Sequence, residues 1–424
     1  MQPSAYRHVL AVRDTRHALV LGFLIRVPLF AGGVLLTLHV VTALGRSYGQ
    51  AGLVTAAATV AVAVSGPWRG RLLDRVGLRR TVLPSLIVQV LCWSVAPWVP
   101  YAPLMALAAL AGLFVVPTFS IMRQVILGSV PEDQRRTALS LDAAATELSF
   151  MAGPALGVWL ATVWNTGWAL FTCEMASVVA GFALWVINPP LRGGPAAPYA
   201  GEPGREPARP QPVAGERAVE QAGERAGPTR AVRGFITVPV AAVYVAAAAT
   251  TVVLSGTDVA VVAALRTFGR AEAIGWVLAL WGVGSLVGGL VYGAWHRSIS
   301  VFWLLAGLAA TTLPVALAAG LPSFAVLITV CGVLCAPTIT ATLEHLSRIV
   351  PERFRGEMMG WHGSAMTAGS ALGAPIAGFA IDRGGWQSGF LAVALLGLAV
   401  ALAGMAVQAR RRSGATAERV TAPA

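Results

Sequence analysis

Charged side chains inside otherwise apolar runs are the first place in this sequence where chemistry has a foothold. Arg26, Glu147 and Asp258 each stand within a long, mostly apolar stretch. A charge at membrane depth is costly, and it is kept where it pairs, relays protons or meets a substrate. Arg26 lies nine residues into the first apolar stretch, and Glu147 nine residues into the fifth. At ~1.5 Å per residue both stand roughly 13 Å from the same end, near the middle of a ~30 Å hydrocarbon core. Desolvation favours one protonation state of a carboxylate and a nearby positive charge the other, so small changes in surroundings exchange a proton there. Asp258 follows Ser255-Gly256-Thr257, a weak point in an overlong apolar stretch. Glu174, in the sixth stretch, is a weaker candidate.

Other reaction chemistries lack their parts. There is no GxxxxGK[ST] phosphate loop, and no paired histidines or Ser/Lys dyad mark a hydrolytic centre. His39 and His362 are isolated, and both read as satisfied or interfacial. Cys331 and Cys335 share a helix face at i, i+4 without other soft ligands, so they read as buried free thiols. Gly282-Val283-Gly284 lies inside an apolar stretch, without the strand–turn–helix setting of a dinucleotide site. The expectation is a protein that is not an enzyme and needs neither metal nor organic cofactor.

Two further patterns suit helices that move against each other. Gly70-Arg71-Leu72-Leu73-Asp74-Arg75-Val76-Gly77-Leu78-Arg79-Arg80 sits between the second and third stretches. Gly70 permits close helix approach, and Gly77 permits a tight turn. Ser149, Gly153 and Gly157 form a small-residue stripe four apart, and Pro154 loosens the turn beside it.

The elements that must position these residues follow from composition. The chain has 424 residues, 56% hydrophobic and only 12% charged, with a mean hydropathy of +0.70. A soluble chain carries roughly 25% charge, so soluble and disordered classes are excluded. Apolar stretches fall near 18–44, 48–68, 81–100, 102–127, 138–163 and 167–188. They resume near 236–265, 273–295, 299–320, 323–343, 358–381 and 386–408. That is an all-α integral membrane protein with twelve transmembrane helices in two bundles of six.

All 31 basic residues are arginine, and the net charge is +12. With both termini cytoplasmic, all but five arginines fall on the inner side: Arg26 lies mid-span, and Arg46, Arg266, Arg270 and Arg383 lie outside. The charge therefore orients the chain, and nucleic acid is not expected as a partner. Residues 189–233 are rich in Pro, Gly, Arg and Glu and read as a disordered cytoplasmic linker. It separates an N-terminal bundle (1–188) from a C-terminal one (234–409), and 410–424 reads as a basic cytoplasmic tail.

The halves repeat. Val130, Pro131, Glu132, Arg135 and Gly153 match Val350, Pro351, Glu352, Arg355 and Gly373 at a constant shift of 220. Two parallel six-helix repeats are the plan of rocker-type secondary transporters. The loop around Gly70, Asp74, Arg75, Gly77 and Arg79 resembles the signature of the major facilitator superfamily. It departs at Leu78, where another basic residue is common, and Gly293 replaces the aspartate in the second half. The Ser149–Gly157 segment resembles the glycine–proline motif of the twelve-helix drug:proton antiporter branch, with serine at its first small position. The resemblance implies alternating access, with Asp74 latching onto the N-terminus of the eleventh helix and Arg80 and Arg123 nearby. It places the first and fifth helices side by side, so that Arg26 can pair with Glu147, and turns Asp258 toward the cavity. The function implied is proton-driven export of a hydrophobic or amphipathic small molecule across the cell membrane by a monomer, with Trp276, Trp281 and Trp303 offering apolar surface. Uptake of a polar solute, or a non-transporting receptor of the same fold, is the alternative.

Overall fold

A computed structural model describes residues 9–131, 134–189, 237–294, 299–349 and 355–421. The expected linker therefore lies almost wholly outside the described residues. Its flanks are helical throughout. The N-terminal half comprises α1 (Arg13–Thr42), α2 (Tyr48–Val95), α3 (Tyr101–Leu113), α4 (Thr118–Ser129), α5 (Arg135–Val163) and α6 (Thr166–Ile187). The C-terminal half comprises α7 (Val238–Thr267), α8 (Ile274–Ala294), α9 (Val301–Thr312), α10 (Leu321–Gly332), α11 (Cys335–Ile349) and α12 (Arg355–Thr421).

The apolar stretches map onto these helices with instructive differences. The second and third are two legs of α2, folded at Gly77, whose φ of 80° is open to glycine at little cost. The eleventh and twelfth are two legs of α12, which turns at Gly384-Gly385 and runs on to Thr421. The fourth is broken into α3 and α4 around Pro117, and the tenth into α10 and α11. Among the described residues, eight segments are long and apolar enough to cross a membrane. The fourth and ninth stretches form shorter apolar helices, and α5, at 29 residues, carries charge.

Caps fix where several helices begin. Ser47 Oγ accepts from the Gln50 amide while Gln50 Oε1 accepts from the Ser47 amide, both at 3.2 Å, a reciprocal capping box that starts α2. Asn165 caps α6 by accepting from the Trp168 amide at 2.9 Å.

Glycines set the packing, and they do so in parallel in the two halves. A β-carbon at Gly153 on α5 would sit 2.6 Å from the Val27 carbonyl of α1. At Gly373 on α12 it would sit 2.5 Å from the Val252 carbonyl of α7. The sequence repeat is thus a repeat of contacts, with each half seating its fifth helix on its first.

The halves meet toward the face remote from the chain termini. There Val34, Leu38 and Val158 of the first half join Val259, Val262, Ile274 and Val277 of the second in one buried apolar cluster. On that face Asp382 accepts from the amides of Tyr48 and Gly49 at 2.9 and 2.8 Å, capping α2 from the opposite half. Arg266 donates to the Tyr48 hydroxyl at 3.0 Å. Gly52 and Gly378 bring α2 and α12 into backbone contact beside them. Toward the termini the picture reverses. A β-carbon added at Gly66, Gly70, Gly360 or Gly363 would meet no described atom within 4 Å, and Val64, Trp68 and Trp361 are exposed.

Candidate functional site

Between the halves lies a cavity of about 300 Å³, walled by α1, α2, α5, α7 and α12. Asp258 and Pro154 both reach its wall. A second space of about 160 Å³ holds Glu147, with Trp281, Ser285 and Cys335 on its far side. Phe30, Phe150 and Leu254 border both spaces. Phe150 stands edge-on to Phe30 at 5.4 Å and to Trp281 at 5.8 Å between ring centres. The two carboxylates thus face adjoining spaces across an aromatic divider.

Of the five hydroxyl residues that line the larger cavity, Thr37, Thr55, Thr251 and Ser255 donate to backbone carbonyls, of Gly33, Ala51, Met366 and Ser370 respectively, and Ser370 is the fifth. A hydroxyl has one proton and two lone pairs, so the four donating side chains offer a guest only acceptors.

The expected Arg26–Glu147 pair is not formed. Arg26 Nη1 instead donates to Asp142 Oδ1 at 2.7 Å. Its guanidinium lies over the Phe119 ring at 4.8 Å from the centroid, and its Nε and remaining Nη have no partner among the described residues. The physical reason is helical phase. Asp142 is five residues before Glu147, which turns the two side chains to different sides of α5. Asp142 therefore faces α1 inside the half, whereas Glu147 faces the other half. The signal in sequence is an acidic residue five positions before Glu147, close enough to the Arg135-Arg136 pair to read as interfacial.

The small-residue stripe acts inside the N-terminal half. Gly153 and Gly157 meet Val27, Ala31 and Leu35 of α1, and buried Ser149 donates to the Ala145 carbonyl at 2.7 Å. The other side of α5 faces the partner half, where Gly275 and Gly282 of α8 pack on Ala155 and Met151.

In the expected latch, Gly77 makes the turn, but Gly70 has no close helix neighbour in this conformation. Arg75 and Arg80 are exposed. Arg79 donates to the Trp185 and Val186 carbonyls, each at 3.2 Å, docking the turn on α6. The Asp74 and Arg123 side chains lie outside the described residues. Arg69, counted in sequence among the interfacial arginines, is buried. It donates to the Thr81 carbonyl at 3.1 Å and to Ser85 Oγ, tying the two legs of α2 together.

The remaining candidates settle into packing. His39 bonds Thr166 at 3.1 Å and His362 bonds Thr342 at 2.8 Å. All four cysteines are free and buried. Trp281 borders the smaller space, but Trp276 and Trp303 are exposed rather than cavity-lining.

Two helical bundles with a closed far face and a shared internal cavity define a polytopic membrane protein of the transporter class. The Major Facilitator Superfamily model matches residues 18–269 and 243–423, and the chain belongs to that superfamily. The fatty acid resistance protein FarB of Neisseria gonorrhoeae is 26% identical over 164 residues. That match covers 38% of this chain and 30% of FarB, so the chain aligns with under a third of that relative's length. Among solved structures, a mutant of the nucleoside transporter NupG superposes with a TM-score of 0.70 at 11% identity, covering 93% of this chain and 99% of that one. The peptide transporter POT, as a mutant with sulfate, superposes at 0.67 and 15% identity, covering 96% and 98%. At these identities the structural likeness is one of fold. The protein is accordingly an all-α integral membrane protein of the major facilitator fold.

Proposed function

We propose that this protein is a secondary active transporter that exports hydrophobic or amphipathic small molecules in exchange for protons. It works by alternating access in a bacterial cell membrane, as a monomer, with both termini and the 189–233 segment in the cytoplasm. The observation that carries this reading is the cavity shared by the two halves, apolar over much of its wall and bearing Asp258. A guest entering from the terminal face meets Phe30, Phe150 and Leu254. Burial of its apolar body there gains about 25 cal/mol per Å² removed from water.

The polar side of the wall favours the same class. Four of its five hydroxyls are already donating and offer acceptors, and its one charged group is the Asp258 carboxylate, so a donor-bearing or cationic head is matched better than a sugar that needs partners of both kinds. Glu147 and Asp258 are the groups we assign to proton exchange. Each can release a proton to accommodate a guest and regain one when the guest leaves. Asp74, with Gly70, Arg75, Gly77, Arg79, Arg80 and Arg123 around it, is assigned to latching the terminal face in the opposite state. The name of FarB points to a resistance role in that relative and agrees with export.

Flux into inside-out vesicles under an imposed pH gradient tests this, screened over cationic, neutral and anionic amphiphiles. The expected outcome is ΔpH-driven accumulation of neutral and cationic compounds. If no compound moves in response to ΔpH, proton coupling is wrong. Selective movement of sugars or other polar solutes would replace export of amphiphiles with the uptake reading.

A further inference from the structure

We propose that the N-terminal bundle holds a site for a monovalent cation of sodium's size, built around the half-buried Glu174 and separate from the central cavity. Glu174 is the ninth residue of α6, which places it roughly 12 Å along the helix and near mid-membrane. Its Oε1 reaches α1 at Gly32, where an added β-carbon would sit 2.5 Å from it. Glycine at that position makes room for the carboxylate. Among the described residues no arginine pairs with Glu174, and Arg26 of the same bundle is taken by Asp142. A carboxylate at this depth needs positive charge beside it or a proton on it.

Space and ligands are both at hand. A cavity of about 40 Å³ adjoins Glu174 and is also lined by Ser177, Thr118, Val115 and Val116. That is room for one small ion or one to two water molecules. The wall includes the break between α3 and α4. Pro117 has no N–H to give the Leu113 carbonyl four residues back. The Thr118 amide turns to the Val116 carbonyl at 2.7 Å, and its hydroxyl donates to the same oxygen at 3.2 Å. The Leu113, Phe114 and Val115 carbonyls thus receive no hydrogen bond among the described residues.

Irregular backbone at membrane depth is tolerated where it lines a cavity, and unwound carbonyls of broken helices coordinate small cations in transporters. Gln89 holds this break in place. Its amide donates to the Ala111 carbonyl at 2.9 Å, and its oxygen accepts from Trp93 at 2.8 Å. The set at the cavity is one carboxylate, two hydroxyls and the Val115 carbonyl, all hard oxygen. One negative charge balances a monovalent ion and leaves a divalent one uncompensated. The small volume favours sodium or lithium over potassium.

The test uses the full chain in detergent and reads thermal stability against NaCl, with choline chloride holding ionic strength constant. The expected result is a saturable rise in Tm with sodium that potassium and choline do not reproduce. Glu174→Gln abolishes the rise. Ser177→Ala, which leaves the carboxylate and the fold, shifts half-saturation about tenfold, the loss of one ligand to a charged group. Absence of a sodium-specific rise in the unsubstituted protein overturns the site. So does an equal rise in Glu174→Gln, or a Tm that responds only to pH, which would mark a protonated acid. Because no transport is measured, failure here leaves the export reading untouched, and the reverse holds as well.

Discussion

Arg26 is wholly buried, and its one charged partner among the described residues is Asp142. Removing one member of a buried pair leaves the other uncompensated, at a cost of about 3–5 kcal/mol. Arg26→Met should therefore lower the melting temperature of the detergent-solubilised protein sharply. Arg26→Met with Asp142→Leu should recover most of the loss, and failure to recover would show that the pair does more than hold α1 to α5. Glu147 and Asp258 have a different signature, because they face space rather than a partner. Glu147→Gln and Asp258→Asn should leave stability nearly unchanged and cut ΔpH-driven flux at least about tenfold, equivalent to ~1.4 kcal/mol. Normal flux in either variant removes that residue from the proton path. Depth along the apolar stretches is enough to single out Arg26, Glu147 and Asp258 in the sequence. It does not show that Asp142 rather than Glu147 meets Arg26, because that depends on helical phase against neighbours that only the packed bundle supplies.

At the scale of elements, the small-residue stripes are legible in sequence and their direction is not. Spacing by four shows that Ser149, Gly153 and Gly157 admit a close neighbour, but either half can provide one. The structure seats Gly153 on α1 and Gly373 on α7, so both stripes hold a half together while the opposite side of α5 meets α8. Gly153→Val or Gly373→Val should destabilise by about 1–3 kcal/mol through overpacking, seen as a lower melting temperature or loss of a monodisperse peak. Gly70 provides the contrast, since an added methyl there meets no described atom within 4 Å. Gly70→Ala should keep the melting temperature and slow transport, through the state in which the terminal face closes. Unchanged transport would remove Gly70 from the latch. The breaks in the fourth and tenth stretches are not legible as breaks, because their apolar character continues across them.

At the scale of the whole molecule, the described residues join the two halves on the far face and leave Gly66, Gly70, Gly360 and Gly363 toward the termini without a described neighbour within 4 Å. Opening the far face requires breaking the Asp382 contacts to the Tyr48 and Gly49 amides and the Arg266–Tyr48 bond. Asp382→Ala removes a helix cap, a change of about 0.5–2 kcal/mol. The expected result is a shift toward the opposite state, read as faster labelling of Thr55→Cys in the cavity by an impermeant maleimide added from the far side. Labelling that is unchanged would place the closing free energy in the apolar cluster alone. The two-bundle plan is readable along the chain, because repeat, arginine placement and apolar length are local. Which end is shut depends on contacts between residues more than 300 positions apart, and no pattern along the chain encodes that.

The far-face closure has one further consequence. On the α2 side its acceptor's partners are main-chain amides, which every non-proline residue carries, so substitution there leaves the donors in place. On the α12 side the whole contact hangs from one carboxylate. The α12 side of that contact is thus a single side chain: variation at position 382 resets how readily the far gate opens, whereas on the α2 side Tyr48 also carries the bond to Arg266 and Gly49 has no room for a β-carbon beside Phe379 and Asp382.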